Sequence, residues 1–150
     1  MDPKQVLKKS SLFREFNPLE LLKLTEICRR LFLPKAGVII SEGADFEADS
    51  ALYVMVTGLA KVAVPMGEGK ELVLAFMSPP DHFGELSFLD QNPRSADVVA
   101  MEDTELLVIK HDDLDNLLSE DKEMALKFYH SMSKTLAKRL RESNSKMLRR

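Results

Sequence analysis

The spacing of apolar positions changes twice along the chain. Up to about residue 30, Leu7, Leu12, Phe13, Phe16, Leu19, Leu22, Leu24 and Ile27 recur at roughly helical intervals. The pattern predicts helix with a break at Asn17-Pro18, where Asn17 can cap a second short helix that has Pro18 in its first position. Cys28 is expected to pack in this region rather than to serve as a reactive thiol.

From residue 31 the runs become short and β-rich: 31–33, 38–40, 52–56, 59–64, 72–77, 96–101 and 106–109. Turn residues separate them at Pro34-Lys35-Ala36-Gly37, Glu42-Gly43-Ala44-Asp45, Thr57-Gly58, Met66-Gly67-Glu68-Gly69, Ser78-Pro79-Pro80-Asp81 and Asn92-Pro93. Short strands at this spacing, with no long helix between them, predict an antiparallel sandwich or barrel. Thr57-Gly58 has the look of a tight reversal. The segment 83–89 interrupts the strands, its apolar residues suiting one or two helical turns. After Ile109 the helical period returns. Asp112 or Asp113 is the expected cap of a short helix carrying Leu114, Leu117 and Leu118. A long helix then starts near Ser119 or Asp121 and reaches about residue 148, a length of ~40 Å. Its stripe of Met124, Ala125, Phe128, Met132, Leu136, Leu140 and Met147 is long for a small β domain to bury. The outlets are a twin helix in a second copy or, for the first half at least, the domain itself.

Composition narrows the classes. The 150 residues are 45% hydrophobic and 30% charged, as in one soluble globular domain. A single cysteine excludes a disulfide framework and a cysteine-rich zinc site. No apolar run approaches the roughly 20 residues that span a bilayer, and the N-terminus lacks an apolar signal region, so the expected address is the cytoplasm. Net charge is -3, yet residues 131–150 hold seven cations and one anion, leaving the rest at -9. That basic end fits either a nucleic-acid-binding tail or a solvated helix complementing its own dipole. His82, His111 and His130 are isolated, without metal-ligand spacing, and no nucleophilic set is recognisable. Asp112, Asp113 and Asp115 read as a cap and solvated face rather than a cation site. Catalysis is not expected.

The chemistry concentrates in residues 83–97, FGELSFLDQNPRSAD. A helix opening after Gly84 presents free backbone N–H groups, and glycine allows close approach, which suits a phosphate. The planar guanidinium of Arg94 can pair two phosphate oxygens, while Glu85 suits a hydroxyl donor such as a ribose. Ser95 adds a hydroxyl and Ala96 leaves room. The residues by themselves leave open an ordinary surface ion pair between Glu85 and Arg94.

The run 83–89 followed by Pro93-Arg94-Ser95-Ala96 closely resembles the phosphate-binding cassette of cyclic nucleotide-binding domains, found in bacterial catabolite activators, cyclic-AMP-dependent kinase regulatory subunits and cyclic-nucleotide-gated channels. The resemblance extends over nearly the whole chain, including the Glu42-Gly43 turn, the strands at 53–55 and 58–62, and the final helices. It implies a mainly β fold with flanking helices: an eight-stranded, jelly-roll-like β roll (a double-stranded β-helix). The single domain would comprise N-terminal helices over 1–30, the roll over 31–110 with its cassette at 83–97, and C-terminal helices over 111–150. It further implies that Glu85 accepts the ribose 2′-hydroxyl and Arg94 pairs the cyclic phosphate. The backbone of Gly84, Leu86 and Ser87 would line phosphate and sugar, and Ser95, beside Ala96, would touch phosphate or base. Ser143 and Asn144 look like the positions that cap the base in dimeric bacterial members, with Arg139 nearby.

Three features depart from the family pattern. Pro80-Asp81 stands where Gly-Asp is usual, and Asp97 where Thr or Ser is common, placing a carboxylate toward the phosphate. No helix-turn-helix follows the long helix before Arg150, so DNA reading is not expected. The resemblance thus implies a sensor module for a 3′,5′-cyclic mononucleotide, cyclic AMP favoured over cyclic GMP, with no prosthetic group. Its output would pass to a partner protein or through a homodimer of the C-terminal helix. The alternatives are a scaffold of the same fold that binds no nucleotide, and the sensor part of a longer DNA-binding regulator or channel.

Overall fold

The computed structural model describes residues 2–41, 50–90 and 95–148. Arg94, the Glu42–Gly43 turn and the Asn92-Pro93 turn lie outside them. Among the described residues eight antiparallel strands form two four-stranded sheets. The strands are β1 Cys28–Leu33, β2 Val38–Ile40, β3 Ala51–Thr57, β4 Ala60–Gly67, β5 Lys70–Met77, β6 His82–Phe83, β7 Asp97–Ala100 and β8 Thr104–Lys110. One sheet has the order β1-β8-β3-β6 and the other β2-β7-β4-β5, so the chain repeatedly crosses between them as a jelly-roll-like roll does. The short β6, paired to Tyr53 and Val54, escaped the sequence reading because two residues carry no period.

The helices are α1 Pro3–Lys9, α2 Pro18–Glu26, α3 Glu85–Asp90, α4 His111–Glu120 and α5 Lys122–Leu148. Asn17 caps α2 as expected. Its side chain accepts from Glu20 N at 2.8 Å, and Glu20 Oε1 accepts from Asn17 N at 2.9 Å, which satisfies two end donors reciprocally. Buried Glu20 also accepts from Lys127 Nζ at 2.7 Å and so ties α2 to α5.

Three expectations need correction, and the accessibility of β5 is a further finding. Residues 10–15 are turns rather than helix: Ser10 leaves α1 in an extended conformation, and its hydroxyl accepts from Leu12 N at 3.4 Å, competing with the helical bond. Leu12, Phe13 and Phe16 are nonetheless fully buried, which is why their spacing imitates a helix. Thr57-Gly58 does not close a hairpin, because β3 and β4 belong to different sheets. Gly58 instead carries the crossing at φ +101°, where an added Cβ would stand 2.3 Å from Thr104 Oγ1. The start of α4 is capped by neither Asp112 nor Asp113. β8 runs straight into it, so Lys110 occupies the cap and the two carboxylates sit in the first turn, where the helix dipole favours them. Finally, β5 is exposed along nearly its whole length, with Phe76 59% accessible, so this run is an uncovered edge strand.

Two cores follow from the period-2 alternation of β3. Leu52, Val54 and Val56 face the helices and meet Phe13, Leu24, Leu107, Ile109, Leu114 and Phe128. Ala51, Tyr53 and Met55 face into the roll and meet Ile40, Ala60, Phe83, Val98 and Leu106. β3 is buried on both faces and therefore reads as one continuous apolar run. Asp121 stands immediately before α5, and its carboxylate accepts from Met124 N at 3.1 Å. Its first half packs on the domain through Met124, Phe128 and Met132, while Leu140 is 63% accessible and Met147 is exposed.

Candidate functional site

A cavity of about 420 Å³ opens at the mouth of the roll, within the size range of small-molecule sites. The cassette forms one wall. The strand β6 pairs with β3 and ends at Phe83; Gly84 then turns at φ +94°, and α3 begins. This turn brings Gly84, Glu85, Leu86 and Ser87 to the cavity, with Glu85 and Ser87 buried. Asp90, Ser95 and Ala96 complete that side. Phe83 adds the cassette's own ring, and Ile40, Val62, Met77 and Val98 make the opposite wall apolar. The sequence reading missed these; the inward alternation of β4 and β7 was the available signal. Among the described residues no cluster of metal-ligating side chains occurs.

Glu85 is not the surface carboxylate of an ordinary ion pair: only 3% of it is accessible. Its Oε1 is paired with Arg139 Nη1 of α5, and its Oε2 lies 3.4 Å from His82 Nδ1. Arg139 Nη2 also donates to the His82 carbonyl at 3.3 Å. Burial pushes the Glu85 carboxyl up, but the His82 contact and the charges of His82 and Arg139 outweigh it and hold the group below the ordinary range. His82, read from sequence as isolated, is thus the partner three residues before Glu85. In the adjoining turn, where Pro80 stands in place of the usual glycine, Asp81 fastens the backbone: its side chain accepts from Ser78 N at 3.0 Å and its carbonyl from Met55 N at 2.9 Å.

Arg139 lines the cavity, whereas Ser143 and Asn144 lie exposed further along α5 and outside its lining. Asp97 does not line it either. Strand alternation aims Asp97 away from the face that presents Ala96 and Val98, so its carboxylate is not set against a ligand there. The α3 helix is anchored from behind by Phe88, which meets His111 at 5.3 Å and Phe128 at 5.6 Å between ring centroids. Burial pushes the Cys28 thiol up to about 12, which leaves it protonated and unreactive.

These features define a ligand-binding β roll: a small-molecule cavity whose polar wall is a glycine–glutamate cassette latched to the last helix. The match is specific. The model of the cyclic nucleotide-binding domain matches residues 30–121, and the chain belongs to that family. It is 36% identical over 139 residues to the cyclic AMP receptor protein of Thermus thermophilus, covering 92% of this chain and 61% of that protein. It is 29% identical over 112 residues to a cAMP-dependent protein kinase regulatory subunit of Aspergillus niger, covering 75% of this chain and 26% of the subunit. A crystal structure of a cyclic nucleotide-binding domain from Methylobacillus flagellatus superimposes with a TM-score of 0.83 at 25% identity, covering 97% of this chain and 80% of that one. The chain therefore spans less than two thirds of the length of the curated relatives named here. No helix of the described residues is long and apolar enough to cross a membrane.

Proposed function

We propose that the cavity binds a 3′,5′-cyclic mononucleotide, cyclic AMP in preference to cyclic GMP, and that occupancy is passed to α5. The observation that carries this reading is the convergence of Gly84, Glu85, Leu86, Ser87, Ser95 and Ala96 on one cavity of suitable volume in a chain of this family. In the proposed complex the Glu85 carboxylate accepts the ribose 2′-hydroxyl, the backbone of Gly84 to Ser87 lines the sugar and phosphate, and Arg94 pairs the phosphate. The names of the Thermus and Aspergillus relatives favour cyclic AMP. Glu85 is held by Arg139, so a ribose hydroxyl on this carboxylate alters the grip on α5.

The test is thermal unfolding with each nucleotide, because ligand at 100 times its Kd adds about 2.7 kcal/mol. Arg94→Ala is expected to weaken cyclic AMP at least about tenfold, as a charge-assisted contact is lost. Equal titration calorimetry for variant and wild type would remove Arg94 from the site. A melting temperature indifferent to both nucleotides establishes instead a scaffold that keeps the fold.

The signal is proposed to leave through a homodimer of α5. Leu126, Tyr129, Ser133, Leu136, Leu140 and Met147 recur at alternating intervals of three and four, or seven, the period of a coiled-coil seam. Leu126, Tyr129, Leu140 and Met147 are exposed in the single chain. Ser143 continues that seam and, with Asn144, is proposed to cap the base from the partner side. Light scattering should give twice the chain mass, and Leu140→Glu should return it to the monomer; a wild-type monomer at high concentration excludes the seam.

A further inference from the structure

A second cavity, of about 340 Å³, shares Arg139 with the first. It lies among the turn after α1, the Pro80–Asp81 turn and α5, and four cations line it: Lys9, Arg14, Lys138 and Arg139. Two carboxylates, Asp81 and Glu142, oppose them, and that of Asp81 already accepts from Ser78 N at 3.0 Å. Lys9, Arg14 and Lys138 form no ion pair with any described residue. Like charges gathered in a concave wall concentrate positive potential there.

The frame of this cavity is built rather than incidental. Leu12 and Phe13 are fully buried, which pins the backbone between Lys9 and Arg14. Lys8 Nζ donates to the carbonyls of Arg14 and Phe16 at 3.2 and 3.1 Å. Thr135 Oγ1 donates to Ser11 Oγ at 3.2 Å, which fastens the turn to α5. Both hydroxyls face the cavity, whereas no Leu, Ile, Val, Met or Phe side chain lines it. With only Pro80 and the His82 ring beside these polar groups, a ligand there is recognised mainly by charge and hydrogen bonds.

We propose that this second cavity binds a compact phosphate polyanion, of the pyrophosphate or phosphomonoester class, through Arg14, Lys138 and Arg139. Arg139 also holds Glu85, so an anion in the second cavity competes with that carboxylate for one guanidinium. The two sites are then coupled, and by linkage each ligand changes the other's affinity by the same factor. The coupling clause rests on the nucleotide reading above; the anion site does not.

Titration calorimetry with inorganic pyrophosphate, in metal-free buffer with ionic strength matched by chloride, tests the site. Wild type should bind one equivalent saturably. Arg14→Gln and Lys138→Gln should each weaken it, and the double variant by at least about tenfold, since contacts to charged groups are the strong ones. Both side chains are exposed, so an unchanged melting temperature verifies the fold. Arg94→Ala should leave pyrophosphate affinity intact and the double variant should still bind cyclic AMP, which separates failure of this site from failure of the cassette. Unaltered binding in the double variant, or heats no larger than with chloride alone, overturns the proposal. Identical pyrophosphate affinity with and without saturating cyclic AMP overturns the coupling.

Discussion

Truncation of Phe128 to alanine lowers the free energy of unfolding by roughly 3–5 kcal/mol, the cost of removing a large ring from a closed core. The ring is fully buried and joins three parts of the molecule. It stacks on Phe13 of the N-terminal turn at 5.8 Å, meets Phe88 of α3 edge-on at 5.6 Å, and packs beside Tyr129 at 5.3 Å. None of these neighbours can collapse into the vacancy without displacing its own element, so the cavity persists. Urea denaturation should show a lower midpoint with an unchanged slope. A loss below about 1 kcal/mol would mean that the joint relaxes and that α3 and α5 are not rigidly connected through it.

Glu85→Gln is the second large effect, and it reaches both binding and stability. The amide keeps the shape of the side chain but removes the charge that holds Arg139 and His82. Cyclic AMP affinity is expected to fall at least about tenfold, and stability at pH 7 by roughly 1–3 kcal/mol. The lower part of that range applies because Arg139 is 39% accessible and water screens its half of the pair. The pH dependence has a definite sign. The folded carboxyl is held below its ordinary 4.5, so its contribution is complete above that value and is lost as the pH falls through it toward the folded value. Wild type and variant should therefore converge in stability on acidification below about pH 4.5. A gap that stays constant from neutral pH to about pH 3 would show that the Glu85 charge does not stabilise the fold.

Much of the architecture was legible because its causes are local. The β-rich runs, the Asn17–Pro18 helix start and the short helix after Gly84 each depend on residues a few positions apart, and each forms. Where local rules competed, the reading failed. The buried trio Leu12, Phe13 and Phe16 kept a helical spacing although Ser10 had already broken the helix. Thr57-Gly58 carried a turn signal, but only the sheet order shows that the turn changes sheets. The cassette side of the cavity was visible as one contiguous motif, whereas its apolar wall draws single residues from β2, β4, β5 and β7.

The order of elements, the capped helix and the presence of a glycine–glutamate cassette were determined by the chain itself, since period, caps and turn residues act over one or two turns of backbone. Only the tertiary structure decided what Glu85 touches. Its partner Arg139 lies 54 residues further on, and the two meet because buried Phe128 and Met132 seat α5 against the domain. The same packing sets the Arg14 and Lys138 cations into one cavity. Contacts of that kind follow from the angle at which a helix docks, a quantity that side-chain packing fixes in three dimensions and no local spacing encodes.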